Sequence, residues 1–253
     1  MSFKETLNTT HVVFVGDSVS RYQYLALAYY LVHERVLNRS LVDNISFEKT
    51  FGSHTTDWQR FFYFSSSVLT SSLPSLTTSE VCFCTRSQTN DPVRNREQRH
   101  FQLHSRCGTR ISISFIQYVT ELHLPFASAF SMLHNLRPSH VFVNFGLWVD
   151  GDREKAMPEI CSLLTDQHAF QVFWQDTTPR LLKGKSKMGS RLVAPCKLSH
   201  NQIVPRFDIV VNLTGTLKQR MLYWDKVHFH GYVSHAFNEA LLAIILKQKV
   251  VSS

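Results

Sequence analysis

Short apolar runs bounded by polar residues alternate along the chain with longer stretches of helical spacing. His11-Val12-Val13-Phe14-Val15 leads to Gly16 and predicts a buried parallel strand, since a strand covered on both faces is apolar throughout. From Ser20 to about Asn38, Tyr22, Leu25, Tyr29, Val32 and Val36 recur at helical intervals, with Ser18 or Ser20 available as the cap. Arg110 to Val119 alternates Ile111, Ile113 and Phe115 with Ser112 and Ser114, which predicts a second strand. Phe126 to Leu136 reads as a helix ended by Pro138. Val141 to Phe145 predicts a third strand, Arg153 to Leu164 a helix, Phe170 to Trp174 a fourth strand and Phe207 to Val211 a fifth. Gly231 to Lys247 predicts a terminal helix with Val233, Phe237, Leu241 and Ile244 on one face.

Strands that alternate with helices imply an α/β fold, a parallel sheet with right-handed crossovers and helices covering both faces. The expectation is one domain over residues 1–253, a three-layer sandwich around a central, mostly parallel five-stranded sheet. The segment at about 39–106 mixes aromatic, serine and basic residues without a sustained period. It predicts a long irregular insertion, too long for a passive connection and placed to shape a substrate site. Leu181 to Leu198 reads as another loop.

Composition narrows the classes. Apolar residues make up 43% and charged residues 18% of 253, the balance of a folded globular chain. No apolar run is long enough to span a membrane, and Met1 to Glu5 lacks the apolar core of a signal peptide. The net charge of +8 is diffuse, densest between Arg86 and Arg110, without the interleaved aromatics that single-stranded nucleic acid requires. Nucleic acid is therefore not the expected partner. Five cysteines leave at least one outside any intrachain pair, and Cys82 and Cys84 lack a matching second pair for zinc. His228 and His230 have no third ligand nearby in sequence, so neither metal nor cofactor is expected. Sequons at Asn8, Asn38, Asn44 and Asn212 favour the secretory lumen or the exterior, with the cytoplasm as the other compartment.

Functional residues of a parallel sheet collect beyond the carboxyl ends of its strands. Gly16-Asp17-Ser18 occupies such a position, with Ser18 at the positive end of the following helix. A hydroxyl needs a base to become a nucleophile, and Asp225-Lys226-Val227-His228 supplies a histidine with a carboxylate to orient it. A helix cap explains Gly-Asp-Ser alone equally well; the two motifs together, at opposite ends of the chain, point to a catalytic triad.

These two motifs resemble the first and last blocks of the SGNH, or GDSL, hydrolase superfamily. Phe14 to Gln23 resembles more narrowly the opening of its PC-esterase group, which includes plant polysaccharide O-acetyltransferases of the trichome-birefringence-like type. Asn144-Phe145-Gly146-Leu147-Trp148 resembles that group's N-x-G-x-W segment, and Phe173 to Pro179 its strand ending in T-x-P. The resemblance implies the flavodoxin-like SGNH fold and an enzyme, a carboxylic ester hydrolase or O-acetyltransferase acting on an acyl ester or acetylated carbohydrate. It implies Ser18 as nucleophile, His228 as base, Asp225 as its orienter, and an oxyanion hole from the Ser18 N–H, Asn144 and a glycine. Gly108 is the candidate for that glycine and Gly52 its competitor. Arg21 is a candidate clamp on substrate and Trp148 a candidate sugar-binding face. The plant proteins usually carry cysteines where this chain has Lys226 and His230, which separates it from them. The competing expectation is a glycan-binding module of the same fold without activity.

Overall fold

A computed structural model describes residues 2–36, 98–104, 108, 110–117, 133–134, 136–144, 152–166, 168–179, 196–199, 202–217, 222–223 and 228–251. Along the chain these form α1 (Phe3–Leu7), β1 (His11–Gly16), α2 (Ser18–His33), β2 (Gln98–His104), β3 (Arg110–Gln117) and β4 (His140–Asn144). There follow α3 (Asp152–Thr165), β5 (Gln171–Gln175), β6 (Ile203–Val204), α4 (Arg206–Thr216) and α5 (Gly231–Val251).

The sheet has six strands in the order β2-β3-β1-β4-β5-β6. All neighbours run parallel except the edge pair β2 and β3. β1 therefore lies between β3 and β4, and the chain goes from β1 to the strands on one side of it before crossing from β3 to β4 on the other. The carboxyl ends of β1 and β4, where the strand order reverses, are the usual ligand position in an open parallel sheet.

Alternate side chains of each central strand feed different layers, because successive residues point to opposite faces. Val12, Phe14, Phe142 and Phe173 pack with Leu25, Tyr29, Leu241 and Ile245 of α2 and α5. Val13, Val15, Val141, Val143 and Trp174 pack instead with Ile160, Leu163 and Leu164 of α3. Both faces of the sheet are thus covered by helices. A third apolar cluster joins Val19, Val210, Phe229, Val233 and Phe237 at the end of the sheet where α2 begins.

Three features differ from the sequence reading. Phe207 to Val211 belongs to α4, not to a fifth strand. Val210 is fully buried and Val211 is 41% exposed, a one-sided pattern that Val210, Leu213 and Leu217 continue at helical spacing. A β-branched run is only a weak prior for strand, and packing against α5 decides for helix. The sheet is closed on that side by the two residues of β6 instead.

Secondly, the six strands include β2, within the stretch read as irregular. Arg99 and Phe101 are buried there although charged and polar residues interrupt the run, so its alternation was hard to see. Thirdly, both sets of the alternation in β3 are buried, Ser112 and Ser114 as well as Ile111, Ile113 and Phe115. Ser114 Oγ lies 2.8 Å from His11 Nε2 and 2.9 Å from His100 Nδ1, so one hydroxyl serves two imidazoles.

Burial and the neighbouring His100 bring His11 down from 6.5 to about 4. A histidine held neutral by the fold stabilises it above its ordinary value and loses that contribution as the pH falls. Urea denaturation should therefore show stability declining between pH 6.5 and 4. His11→Gln should be less stable at neutral pH and decline less steeply.

Candidate active site

Gly16 ends β1 beside Asn144 of β4, its register partner. A Cβ there would sit 2.3 Å from the Asn144 carbonyl oxygen and 2.6 Å from Ser20 Oγ, so only glycine lets the strand end and the first turn of α2 approach this closely. Asp17 follows as the N-cap of α2, in place of the serines expected to cap it. Its Oδ1 accepts from the Val19 N–H at 3.0 Å and the Ser20 N–H at 3.4 Å. Ser18 is the first helical residue, and among the described residues its own N–H meets no acceptor.

His228 arrives from the other end of the chain. Tyr223 and Phe229 form an antiparallel bridge, the His230 N–H donates to the Leu222 carbonyl at 3.0 Å, and the Tyr223 hydroxyl donates to the Pro179 carbonyl at 2.8 Å. These bonds fasten the segment carrying His228 to the end of β5. The edge of the imidazole meets the Tyr22 ring, centroids 5.2 Å apart, and Nε2 lies 2.7 Å from Ser18 Oγ. Residues 210 positions apart are thus in hydrogen-bond contact, the distance a general base requires of the proton it removes.

Asn144 is buried at the same sheet edge, but its amide donates to the Gln175 carbonyl at 2.6 Å and to Thr177 Oγ1 at 3.3 Å. In this state the side chain ties β4 to the segment after β5. Arg21 is buried, its guanidinium 5.2 Å from the centre of the Tyr22 ring. Gly108 is a correction. It precedes β3, which runs parallel to β1 with His11 opposite Ser112, so it lies at the amino edge of the sheet, away from Ser18. Its φ of +83° suits a turn into the strand, not a donor at the carboxyl edge. Asp225, Trp148 and Gly52 lie outside the described residues. No group of acidic, histidine or cysteine side chains suited to a metal occurs among the described residues, and no described helix is long and apolar enough to cross a membrane.

A buried polar set behind Ser18 escaped the sequence reading. Arg206, at the start of α4, donates through Nη2 to Ser20 Oγ at 3.3 Å and to the side-chain oxygens of Gln23 and Gln175. Gln175 in turn donates to Gln23 Oε1 at 3.0 Å, and Asn238 to the Gln23 carbonyl at 3.2 Å. Only its position beside an apolar run distinguished Arg206 in the sequence, where it resembles any surface arginine.

Burial pushes the Asp17 carboxyl up, while Arg206, the N–H groups of Ser20 and Val19, and His228 pull it back. The net direction is up, so the fold favours the neutral side chain, and this contribution is lost as the pH rises through the raised value. Asp17→Asn keeps an acceptor for the two N–H groups, and its stability relative to the unsubstituted chain should be highest at neutral pH and shrink on acidification. Asp17→Ala removes the cap as well and should be about 1 kcal/mol less stable than Asp17→Asn at each pH, both read by urea denaturation. Comparison of the chain with protein-family models, with curated proteins and with solved structures finds no match.

Proposed function

We propose that the chain is a serine-dependent acyl-ester hydrolase or O-acyltransferase of the SGNH type, working through an acyl-Ser18 intermediate on acetyl esters of carbohydrate. The observation that carries this reading is the 2.7 Å approach of His228 Nε2 to Ser18 Oγ at the head of α2. The parallel strands β3-β1-β4-β5-β6 also follow the doubly wound order of flavodoxin-like sheets, with Ser18 at the point where the connections diverge.

In this reading His228 takes the Ser18 hydroxyl proton as Oγ bonds to the acyl carbon, and the carbonyl π pair moves to oxygen. The oxyanion is met by the unoccupied Ser18 N–H, with the positive end of α2 behind it. Asn144 adds a second donor by exchanging the longer of its bonds, that to Thr177 Oγ1, for the oxyanion. Collapse breaks the ester C–O bond, and the leaving alcohol takes the proton from His228. Water or a carbohydrate hydroxyl then gives its proton to His228 and attacks the acyl-Ser18 carbon; collapse breaks the C–Oγ bond, His228 returns the proton to Ser18 Oγ, and acetate or the acetylated sugar leaves. Asp225, three residues before His228, is assigned to hold the imidazole by Nδ1–H. Substrate in this reading is met in a secreted or lumenal setting, and no cofactor takes part.

A fluorophosphonate probe should label the chain at Ser18, and Ser18→Ala should abolish the adduct. His228→Ala should slow labelling and hydrolysis of an activated acetyl ester by about a thousandfold or more. An unlabelled chain, or equal labelling of Ser18→Ala, rejects the nucleophile and favours a glycan-binding module without activity. Adding oligosaccharide acceptors to the ester assay separates the two enzymes, since a transferase yields the acetylated sugar and a hydrolase only acetate.

A further inference from the structure

We infer that Arg206 is a positioning residue for Ser18, holding the first turn of α2 against β5 and α4 and supplying the positive charge that faces Asp17 from beneath the nucleophile. This rests on the proposed role of Ser18, and no part of the resemblance drawn from the sequence assigns Arg206.

The geometry gives Arg206 two jobs. One nitrogen, Nη2, reaches Ser20 and Gln23 of α2 and Gln175 of β5, so α2, β5 and α4 meet on a single group. Ser20 also donates its backbone N–H to Asp17 Oδ1, so the guanidinium is joined to the cap through one residue. Its remaining donors, Nε and Nη1, meet no acceptor although Arg206 is fully buried. Hydrogen bonds through one nitrogen to two elements fix the guanidinium, and the charge it carries is held at the head of α2. What the site gains from it is charge. Two buried carboxylates, Asp17 before α2 and Asp176 after β5, act on its charge without bonding to it, and the Phe237 ring of α5 covers it at 5.6 Å.

Among the described residues, the titratable groups that act on Asp17 are Arg206 from α4 and His228 from the segment before α5. Removing Arg206 takes away the largest influence opposing the burial of Asp17, so the carboxyl takes up its proton at a higher pH. Protonation weakens the charge–dipole part of the cap beneath Ser18. The consequence is a pH-dependent loss of alignment, which a purely structural brace would not produce.

The test is the rate of fluorophosphonate labelling of Ser18 against pH in the full chain, with Arg206→Lys, Arg206→Gln, Asp17→Asn and the Asp17→Asn, Arg206→Gln double variant. Arg206→Gln should label about tenfold more slowly or worse, the cost of a small misplacement, and its loss on acidification should lie at higher pH than in the unsubstituted chain. Arg206→Lys retains the charge and should restore the position of the acid limb. In the Asp17→Asn background Arg206→Gln should no longer move that limb. Urea denaturation of the same set reads the Asp17–Arg206 coupling without reference to activity, and a nonzero, pH-dependent coupling is expected. Normal labelling of Arg206→Gln with an unmoved pH profile overturns the inference, as does zero coupling at every pH. Failure of the unsubstituted chain to label overturns the nucleophile and, with it, the positioning role.

Discussion

The arrangement depends on the contact at Gly16. There the chain turns from β1 into α2 so close to β4 that the position has no room for a side-chain carbon between the Asn144 carbonyl and Ser20. Because the turn is this tight, the helix begins directly at the carboxyl ends of β1 and β4, and its first residue is Ser18. The helix start, the sheet edge and the hydroxyl are fixed by one steric condition. Everything else at the site is brought to that point: Asp17 to cap the turn, Asn144 from the adjoining strand, His228 from the segment before α5.

Such closeness has an electrostatic cost. Asp17, Ser20, Gln23, Gln175, Asp176, Arg206 and Asn238 are all buried around the head of α2, where each unpaired polar atom loses water without full return. An apolar core of equal volume would be simpler to stabilise. The polar set instead gives the helix head one allowed position, since Arg206 satisfies Ser20, Gln23 and Gln175 together only in this arrangement. The same need for a fixed position explains the second brace, in which the Tyr223 hydroxyl and the Tyr223–Phe229 bridge fasten the His228 segment to Pro179 after β5. Two separate fastenings converge on β5, which makes that strand end the common reference for nucleophile and base.

The histidine cluster at the opposite edge has a different character. His11, His100 and Ser114 lie at the start of β1 and on β2 and β3, away from Ser18, and bind the antiparallel edge strand to the parallel sheet. It makes the fold sensitive to acid at a place remote from Ser18.

By itself the sequence determined the alternation of strands and helices, the apolar central strands, and the placement of Gly16, Asp17 and Ser18 after the first of them. Those features are local: a strand buried on both faces is apolar throughout, a helix repeats at its own period, and a turn of this tightness needs glycine. Tertiary structure decided the rest. Phe207 to Val211 became a helix because α5 offers a surface to one side of it only, and Gln98 to His104 became a strand because β3 had an edge to pair. Gly108, a plausible donor by position in the sequence, went to the wrong edge once the direction of β3 was set. Arg206 acquired its place only when α4, α2 and β5 closed around it. The contact of Ser18 with His228 belongs to this second group, because residues 210 positions apart in the chain meet only through the packing between them.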